Sequence, residues 1–123
     1  MIHLDTNFLI QALVSGSPAE TKLLAWLTGG EDFSVSTIAW REFLSGPLMP
    51  QEELLAQLLL SAPEPFLAAD ARKAAELFNL TGRRSRTVAD CQIAAVALRC
   101  GVRLATGNVT DFAPFQNHGL ALA

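Results

Sequence analysis

The segment Ile2-His3-Leu4-Asp5-Thr6-Asn7 near the N-terminus indicates the fold class of this protein. Its apolar start predicts a short strand at residues 2–4, and the run Phe8-Leu9-Ile10 that follows begins a predicted helix. Asp5 is therefore expected at a strand-to-helix junction. Parallel sheets with helical connections bind ligands beyond the carboxyl ends of their strands, so Asp5 is a candidate site residue.

Short strands and helices alternate along the rest of the chain. Further strands are predicted at residues 32–36, 102–105 and 120–122, with an extended piece at 63–67. One helix is predicted from a capping box at residues 17–20 to Gly29-Gly30. Further helices are predicted at residues 38–44, with Thr37 as the cap, and at 50–60, 70–80 and Val88–Cys100. This alternation favours an α/β fold of three layers, with a short, mostly parallel sheet flanked by helices.

The composition indicates a single domain covering residues 1–123. Half of the residues are hydrophobic, but they never form a run of roughly 18 positions, so no membrane crossing is expected. The N-terminus lacks a basic leader followed by an apolar stretch, so a cytoplasmic location is expected. Cys91 and Cys100 lie in one predicted helix, ~13 Å apart along its axis, which is too far for a disulfide.

Four acidic residues fall at or just after predicted junctions of the fold: Asp5, Glu42, Asp90 and Asp111. Taken singly, each has a structural explanation. Asp5, Asp90 and Asp111 suit helix starts, where a negative charge complements the helix dipole, and Glu42 suits a solvated helix face. Taken together, they fall at junctions that a parallel α/β fold directs to one edge of its sheet.

Several carboxylates in one pocket cannot all remain ionised without a compensating cation. The chain has only His3 and His118 and no Cys-x-x-Cys pair, so oxygen ligands are expected. Mg²⁺, with Mn²⁺ as a substitute, prefers such ligands and suits phosphate chemistry. A second ion ~3.5–4 Å from the first would stabilise both the attacking and the leaving oxygen, and the sequence leaves open whether one or two ions bind.

The net charge of −3 does not exclude a nucleic-acid partner. Setting the four acids aside leaves eight acidic residues against nine Lys plus Arg. Arg83, Arg84 and Arg86 place three of these nine within four positions, shortly before Asp90. This loop is either an ordinary solvated segment or a contact to RNA phosphates, and its position favours the phosphate contact.

The four acids also lie in motifs that resemble those of a known family. The motifs are Asp5-Thr6-Asn7, Trp40-Arg41-Glu42-Phe43-Leu44, Val88-Ala89-Asp90-Cys91-Gln92-Ile93-Ala94-Ala95 and Thr106-Gly107-Asn108-Val109-Thr110-Asp111-Phe112. In this order they resemble the four motifs of PIN domains, in particular those of VapC-type toxin ribonucleases from type II toxin–antitoxin systems. The resemblance runs from residue 5 to residue 112.

The resemblance implies a PIN-like fold and a Mg²⁺- or Mn²⁺-dependent endoribonuclease. It implies that Asp5, Glu42 and Asp90 bind the metal and that Asp111 binds it directly or through water. Thr6 and Asn108 would orient ligands or the scissile phosphate. Asn7 replaces the small hydroxyl residue of many relatives, and its role stays open.

The resemblance also implies partners. The substrate would be an RNA, whether tRNA, rRNA or mRNA, and a small VapB-like antitoxin protein would hold the enzyme, a homodimer, in an inhibited complex. In the carboxylate pocket, metal would activate water for in-line attack on phosphorus, leaving a 5′ phosphate and a 3′ hydroxyl. The scarcity of histidine favours this route over a metal-free ribonuclease.

Two other classes of protein would require residues that this sequence lacks, and one alternative function stays open. A receiver-like signalling domain needs paired acids after its first strand and a late lysine, whereas the only lysines are Lys22 and Lys73. A phosphatase with an aspartyl nucleophile needs a second Asp where Asn7 stands. The alternative that the sequence leaves open is a non-catalytic PIN-fold module that binds RNA or protein.

Overall fold

Three short parallel strands form the centre of the protein. The computed structural model describes residues 1–123, in which β1 (Ile2–Leu4) pairs with β2 (Phe33–Ser34) on one side and with β3 (Arg103–Ala105) on the other. Both pairings are parallel, and Leu4 lies opposite Ala105. All of β1 is buried although its successive side chains point to opposite faces, so both faces of the sheet are covered.

Seven helices surround this sheet. They are α1 (Thr6–Ala12), α2 (Pro18–Thr28), α3 (Thr37–Ser45), α4 (Pro50–Leu59), α5 (Ala68–Leu80), α6 (Val88–Cys100) and α7 (Val109–Gln116). A short 3-10 turn at Ser85–Thr87 precedes α6. The predicted α/β architecture, a short parallel sheet flanked by helices, is confirmed. No helix combines the length and the apolar character needed to span a membrane.

Several helix boundaries follow from local chemistry that the sequence shows directly. The Ser17 side chain caps α2 by accepting a hydrogen bond from the Glu20 backbone N–H at 3.0 Å, and Pro18 occupies the first helical position. Gly101 ends α6 with a φ of 64°, a left-handed conformation that costs glycine little. Cys91 and Cys100, both on α6, are free thiols, as predicted.

Two helix starts differ from the prediction. The cap of α3 is Ser36 and not Thr37, because the Ser36 backbone is extended and its hydroxyl accepts from the Ala39 N–H at 3.1 Å. Helix α5 begins at Ala68 and not at residue 70. Asp70 lies in its first turn and accepts from the Leu67 N–H at 2.9 Å, as an acid at the third helical position does.

The extended segments are shorter than predicted. The strand expected at residues 32–36 is reduced to Phe33–Ser34, although the side chains of residues 33–36 are all buried. The strand expected at 120–122 is a single bridge between Leu104 and Leu122, and the extended piece at 63–67 makes one bridge between Ser36 and Glu64. Both segments therefore border the sheet without extending it as strands.

Helices α5 and α6 pack against each other and share an ion pair whose carboxylate is buried and whose guanidinium is partly exposed. Asp70 on α5 is 1% exposed and accepts hydrogen bonds from Arg99 Nε of α6 at 2.9 and 3.1 Å. The same guanidinium reaches Glu64 Oε1 at 3.1 Å and the Pro65 carbonyl at 3.0 Å. This network joins the C-terminal end of α6 to α5, while the N-terminal end of α6 carries Asp90.

Candidate active site

Asp5 is held in one position by hydrogen bonds from two directions. It follows β1, and its own backbone N–H donates to the Ala105 carbonyl at 3.0 Å. Its carboxylate accepts from the Phe8 N–H at 2.7 Å, which makes it the N-cap of α1, and from Thr106 Oγ1 at 2.5 Å. The Asp5 carboxylate therefore caps α1 and is at the same time a candidate site residue.

The surroundings of Asp5 disfavour its charge. The residue is 3% exposed, and burial raises the pKa of its carboxyl above the ordinary value. The hydrogen bonds from Thr106 and Phe8 oppose this rise, whereas the charges of Glu42 and Asp111 add to it. A carboxylate kept in such a place is typical of a site built for binding a positive group.

Glu42 on α3 is connected to the same region through Thr6. The Thr6 hydroxyl, one residue after Asp5, donates to Glu42 Oε1 at 2.8 Å. Glu42 is partly buried and does not lie on a fully solvated helix face. Thr6 thus orients a carboxylate of the cluster, which is the kind of role the sequence motif implies for it.

Asp90, in the first turn of α6, experiences the fields of the other three carboxylates. Its pKa is raised to about 6, first by burial and then by the charges of Asp111, Asp5 and Glu42. The charges of Glu42 and Asp111 also raise the pKa of Asp5. The four predicted carboxylates therefore influence one another electrostatically, and we call them the carboxylate cluster.

A pocket of about 240 Å³ adjoins this cluster, and we call it the arginine pocket. Asp90 and the exposed Asp111, from the first turn of α7, contribute to its lining together with Arg84 and Arg86. Arg83 is directed elsewhere: its guanidinium lies over the Phe78 ring, 5.5 Å from the centroid, and donates to the Asn79 side chain. Two of the three predicted arginines therefore face the carboxylate cluster.

Thr106 is a site residue to which sequence analysis assigns no role. Its hydroxyl donates to Asp5 and also accepts from the Asn108 backbone N–H at 2.9 Å. It follows β3, and β3 is the neighbour of β1, so the sheet brings residues 5 and 106 together. A hydroxyl residue directly after a buried strand is the signal that could have indicated it. The side chain of Asn108 makes no hydrogen bond within the protein.

The donors of the carboxylate cluster suit a hard divalent cation. All four are carboxylates, and their mutual repulsion would be relieved by a bound positive charge. No three His, Cys, Asp or Glu side chains in the structure are arranged to ligate one ion directly. Mg²⁺ commonly takes one or two protein carboxylates and keeps several waters, so the donor set fits this ion with water completing the shell.

We expect the raised pKa of Asp90 to appear as a pH-dependent loss of stability in metal-free protein. Below pH ~4, Asp90 is protonated in both folded and unfolded chains and carries no penalty. Between pH ~4 and about 6 the unfolded chain releases its proton first, so the free energy of unfolding falls across this window and stays low above it. Partial exposure and screening limit the loss to about 1–2 kcal/mol.

Thermal melts of wild type and Asp90→Asn in EDTA test this expectation. The variant should melt a few degrees higher than wild type at pH 7.5 and at the same temperature near pH 4. Asp32→Asn is the matched control, because Asp32 is exposed and lies outside the carboxylate cluster. An Asp90→Asn variant no more stable than wild type at pH 7.5 would contradict the assignment of Asp90 to a repulsive cluster.

Several solved structures share the fold of this chain. FitAcB from Neisseria gonorrhoeae superimposes with a TM-score of 0.72 at 23% identity, covering 99% of this chain and 96% of that chain. VapBC2 from Rickettsia felis, bound to a DNA fragment from its promoter, gives a TM-score of 0.74 at 20% identity, covering 100% and 98%. A toxin–antitoxin complex from Klebsiella pneumoniae gives 0.70 at 28% identity, covering 92% and 91%.

These likenesses extend over nearly the whole chain and concern the same α/β fold. Comparison with curated protein sequences gives no significant match. The family model of the PIN domain matches residues 2–113, a range that includes all three strands, all four carboxylates and Thr106. The chain belongs to the PIN domain family.

Proposed function

We propose that the protein is a metal-dependent endoribonuclease, the toxin of a VapBC-like toxin–antitoxin pair, formed by a single PIN domain over residues 1–123. The observation that carries this proposal is the carboxylate cluster, in which the pKa of Asp90 is raised to about 6 by burial and by three neighbouring acids. Membership of the PIN domain family supports the nuclease activity, and similarity to solved toxin–antitoxin complexes supports the biological setting.

The chain's own residues would prepare this site before metal or RNA arrives. Thr106 and the Phe8 N–H fix the two oxygens of Asp5, and Thr6 fixes Glu42. Asp5, Glu42 and Asp90 would hold Mg²⁺ or Mn²⁺, in part through bound water because no three side chains are placed to ligate one ion directly, and Asp111 would assist directly or through water. Bound metal would supply an activated water for in-line attack on phosphorus and would stabilise the departing 3′ oxygen.

Cleavage of a mixed tRNA and rRNA pool by the purified protein tests the proposal. We expect cleavage in Mg²⁺ and in Mn²⁺, no cleavage in EDTA, and products that carry a 5′ phosphate and a 3′ hydroxyl. Equal cleavage in EDTA would refute the metal-dependent mechanism. RNA binding without cleavage under all conditions would instead favour a non-catalytic PIN-fold binding module.

The arginine pocket is proposed to hold the RNA backbone beside the carboxylate cluster. Arg84→Gln/Arg86→Gln should weaken RNA binding and leave the cleavage position unchanged, because phosphate contacts position a substrate without reading its sequence. The slope of log affinity against log salt concentration should become shallower by roughly 1.4, since each contact to a single strand contributes about 0.7.

Arg83→Gln is the matched control within the same loop. Its guanidinium lies over Phe78 and outside the arginine pocket, so its replacement should change the salt slope much less. Fluorescence anisotropy of a labelled single-stranded RNA across a salt titration measures all three proteins. An unaltered slope in the Arg84/Arg86 variant would leave this loop as solvated surface.

The antitoxin and the homodimer are proposed from the family setting and from the exposed apolar surface. On α4, Leu54, Leu55 and Leu58 are 57%, 51% and 76% exposed, a large apolar exposure for one short helix. An antitoxin helix could cover such a face, while one of its basic side chains enters the carboxylate cluster and competes with metal. The antitoxin would then suppress both metal binding and RNA cleavage.

Co-expression with the protein encoded by a neighbouring short reading frame should give a stable complex with suppressed RNA cleavage. Leu55→Glu/Leu58→Glu should abolish complex formation while leaving cleavage by the free protein unchanged, because both side chains are exposed. Gln57→Glu, an exposed position on the same helix, is the matched control. A monomer that copurifies with no partner and does not harm its host cell would contradict the toxin assignment.

A further inference from the structure

A second pocket, of about 420 Å³, lies beside the carboxylate cluster and is not used by the steps described above. It is formed by α1, the N-terminal half of α2 and the loop between β3 and α7, and we call it the amide pocket. Its volume lies within the roughly 300–1,000 Å³ typical of small-molecule sites. Its polar lining comes from Asn7, Gln11, Lys22 and Asn108.

The polar side chains of the amide pocket are unused by the fold. Asn7, Gln11, Lys22 and Asn108 are all exposed, and none of their side chains makes a hydrogen bond or an ion pair within the protein. Their donors and acceptors are therefore available to a ligand.

The remaining lining adds some apolar surface to the amide pocket. Pro18 and Ala19 supply most of it, because Phe8 also borders the pocket but is only 4% exposed. At Gly107 an added Cβ would meet no atom within 4 Å, so the backbone there is open to close approach. Apolar walls combined with amide groups match a nucleobase, which has two apolar faces and an edge that both donates and accepts hydrogen bonds.

The amide pocket is directly connected to the carboxylate cluster. Thr106 lines this pocket and donates to Asp5 at 2.5 Å, and Asn7 lies two residues after Asp5. The arginine pocket, in contrast, includes Asp90 and Asp111 and shares no residue with the amide pocket. An RNA strand that crosses the carboxylate cluster would therefore contact both pockets.

Resting on the nuclease function proposed above, we propose that the amide pocket binds one purine base of single-stranded RNA next to the scissile phosphate, and that Asn7 and Gln11 thereby set the cleavage preference. Amide side chains pair in bidentate fashion with adenine, and lysine pairs with guanine, so both kinds of group favour a purine edge. Lys22 is the only charged residue of the pocket, whereas a site for the RNA backbone alone would be expected to gather several cations.

Two measurements on wild type and Asn7→Ala/Gln11→Ala test the inference. The first is the affinity of short labelled single-stranded RNAs in EDTA, with each of the four bases in turn at every position. The second is the distribution of cleavage sites on an RNA library in Mg²⁺. Gln57→Ala, an exposed helical glutamine far along the chain on α4, is the matched control, and thermal melts verify that every variant is folded.

We expect wild type to bind and cut with a purine preference at one position beside the scissile bond. The double variant should lose roughly 5- to 100-fold of that preference, the effect of one good bidentate base contact, while retaining cleavage at a reduced rate. Gln57→Ala should retain the full preference. These results together would support the amide pocket as the base site.

Other outcomes separate this inference from the proposed function. A preference unchanged in the double variant, or an absence of preference in wild type, overturns the inference and leaves the nuclease proposal intact. Purine-dependent binding that the double variant loses, without cleavage by wild type, supports the pocket and refutes the nuclease.

Discussion

Asp5→Asn is expected to lower the rate of RNA cleavage in Mg²⁺ by about 10³-fold while the protein remains folded. Asparagine keeps the size of the side chain and can still accept the hydrogen bond from the Phe8 N–H, while its NH₂ group can donate to the Thr106 hydroxyl, which rotates to accept. It removes the charge that a hard cation needs at the most enclosed position of the carboxylate cluster. Since burial and the charges of Glu42 and Asp111 raise the pKa of Asp5, losing this charge also relieves repulsion.

Folding and catalysis should therefore separate in this variant. In EDTA it should melt at or slightly above the wild-type temperature, as expected for a residue arranged for function at some cost in stability. Adding Mg²⁺ should raise the melting temperature of wild type, because the ion binds only the folded chain, and should raise that of Asp5→Asn much less. Asp90→Asn should show the same weak response to Mg²⁺, on top of the higher melting temperature in EDTA expected above.

Wild type and all variants are purified in parallel, so that a contaminating ribonuclease would give the same activity in every preparation. Asp32→Asn, at an exposed position outside the carboxylate cluster, should keep full activity and the full response to Mg²⁺. If folded Asp5→Asn and Asp90→Asn both keep wild-type activity, the carboxylate cluster is not the site of cleavage. If the residual activity of Asp5→Asn resists EDTA, it belongs to another enzyme.

The sequence predicts the parts of this structure that depend on nearby residues. Ser17 and Pro18 start α2 through a cap and a proline that need no distant partner, and Gly101 ends α6 through its own backbone freedom. Asp5, Asp90 and Asp111 are recognisable because each lies at the start of a helix, whereas Glu42 lies within α3. Local chemistry thus gives the order of the elements and the positions of the four acids.

The contacts that assemble the site depend on pairings between distant segments. Thr106 reaches Asp5 across 101 residues, because β1 and β3 pair in a register that places Leu4 opposite Ala105. No periodicity in the chain specifies that register. The different orientations of the three arginines also depend on distant segments. Arg83 lies over the Phe78 ring of α5, while Arg84 and Arg86 line a pocket with Asp90.

Where two adjacent residues are equally good helix caps, only the tertiary structure determines which of them caps the helix. Ser36 and Thr37 are both good N-caps, and Ser36 takes the role because its backbone is extended where it meets Glu64. Thr37 is then free to accept from the Phe66 N–H at 3.1 Å. Asp70 illustrates the same limit, because the sequence indicates a helix start there and gives no sign of its partner Arg99, 29 residues later.

Asp70→Asn is expected to lower the free energy of unfolding by about 1–3 kcal/mol, the largest single loss that we expect from a polar substitution in this protein, because the hydrogen bonds accepted by a buried carboxylate are weakened. The carboxylate is 1% exposed and accepts from Arg99 Nε and from the Leu67 N–H. An amide of the same shape offers one acceptor oxygen and turns an NH₂ group toward these donors. The variant would therefore keep the packing of α5 on α6 and lose the charge pair.

Urea unfolding followed by circular dichroism measures this loss, with an unchanged m-value showing that the folded and unfolded states remain comparable. Glu76→Gln is the matched control on the same helix: its partner Lys73 lies at 3.8 Å in an exposed pair, so a change within ~0.5 kcal/mol is expected. In the double variant Asp70→Asn/Arg99→Gln the loss should be smaller than the sum of the single losses, because no guanidinium is left facing an amide. Additive losses, or an Asp70→Asn variant as stable as Glu76→Gln, would show that α5 and α6 are held by apolar packing alone. Below the unfolding transition, Asp70→Asn should still cleave RNA, because Asp70 lies in the network at the far end of α6 from Asp90.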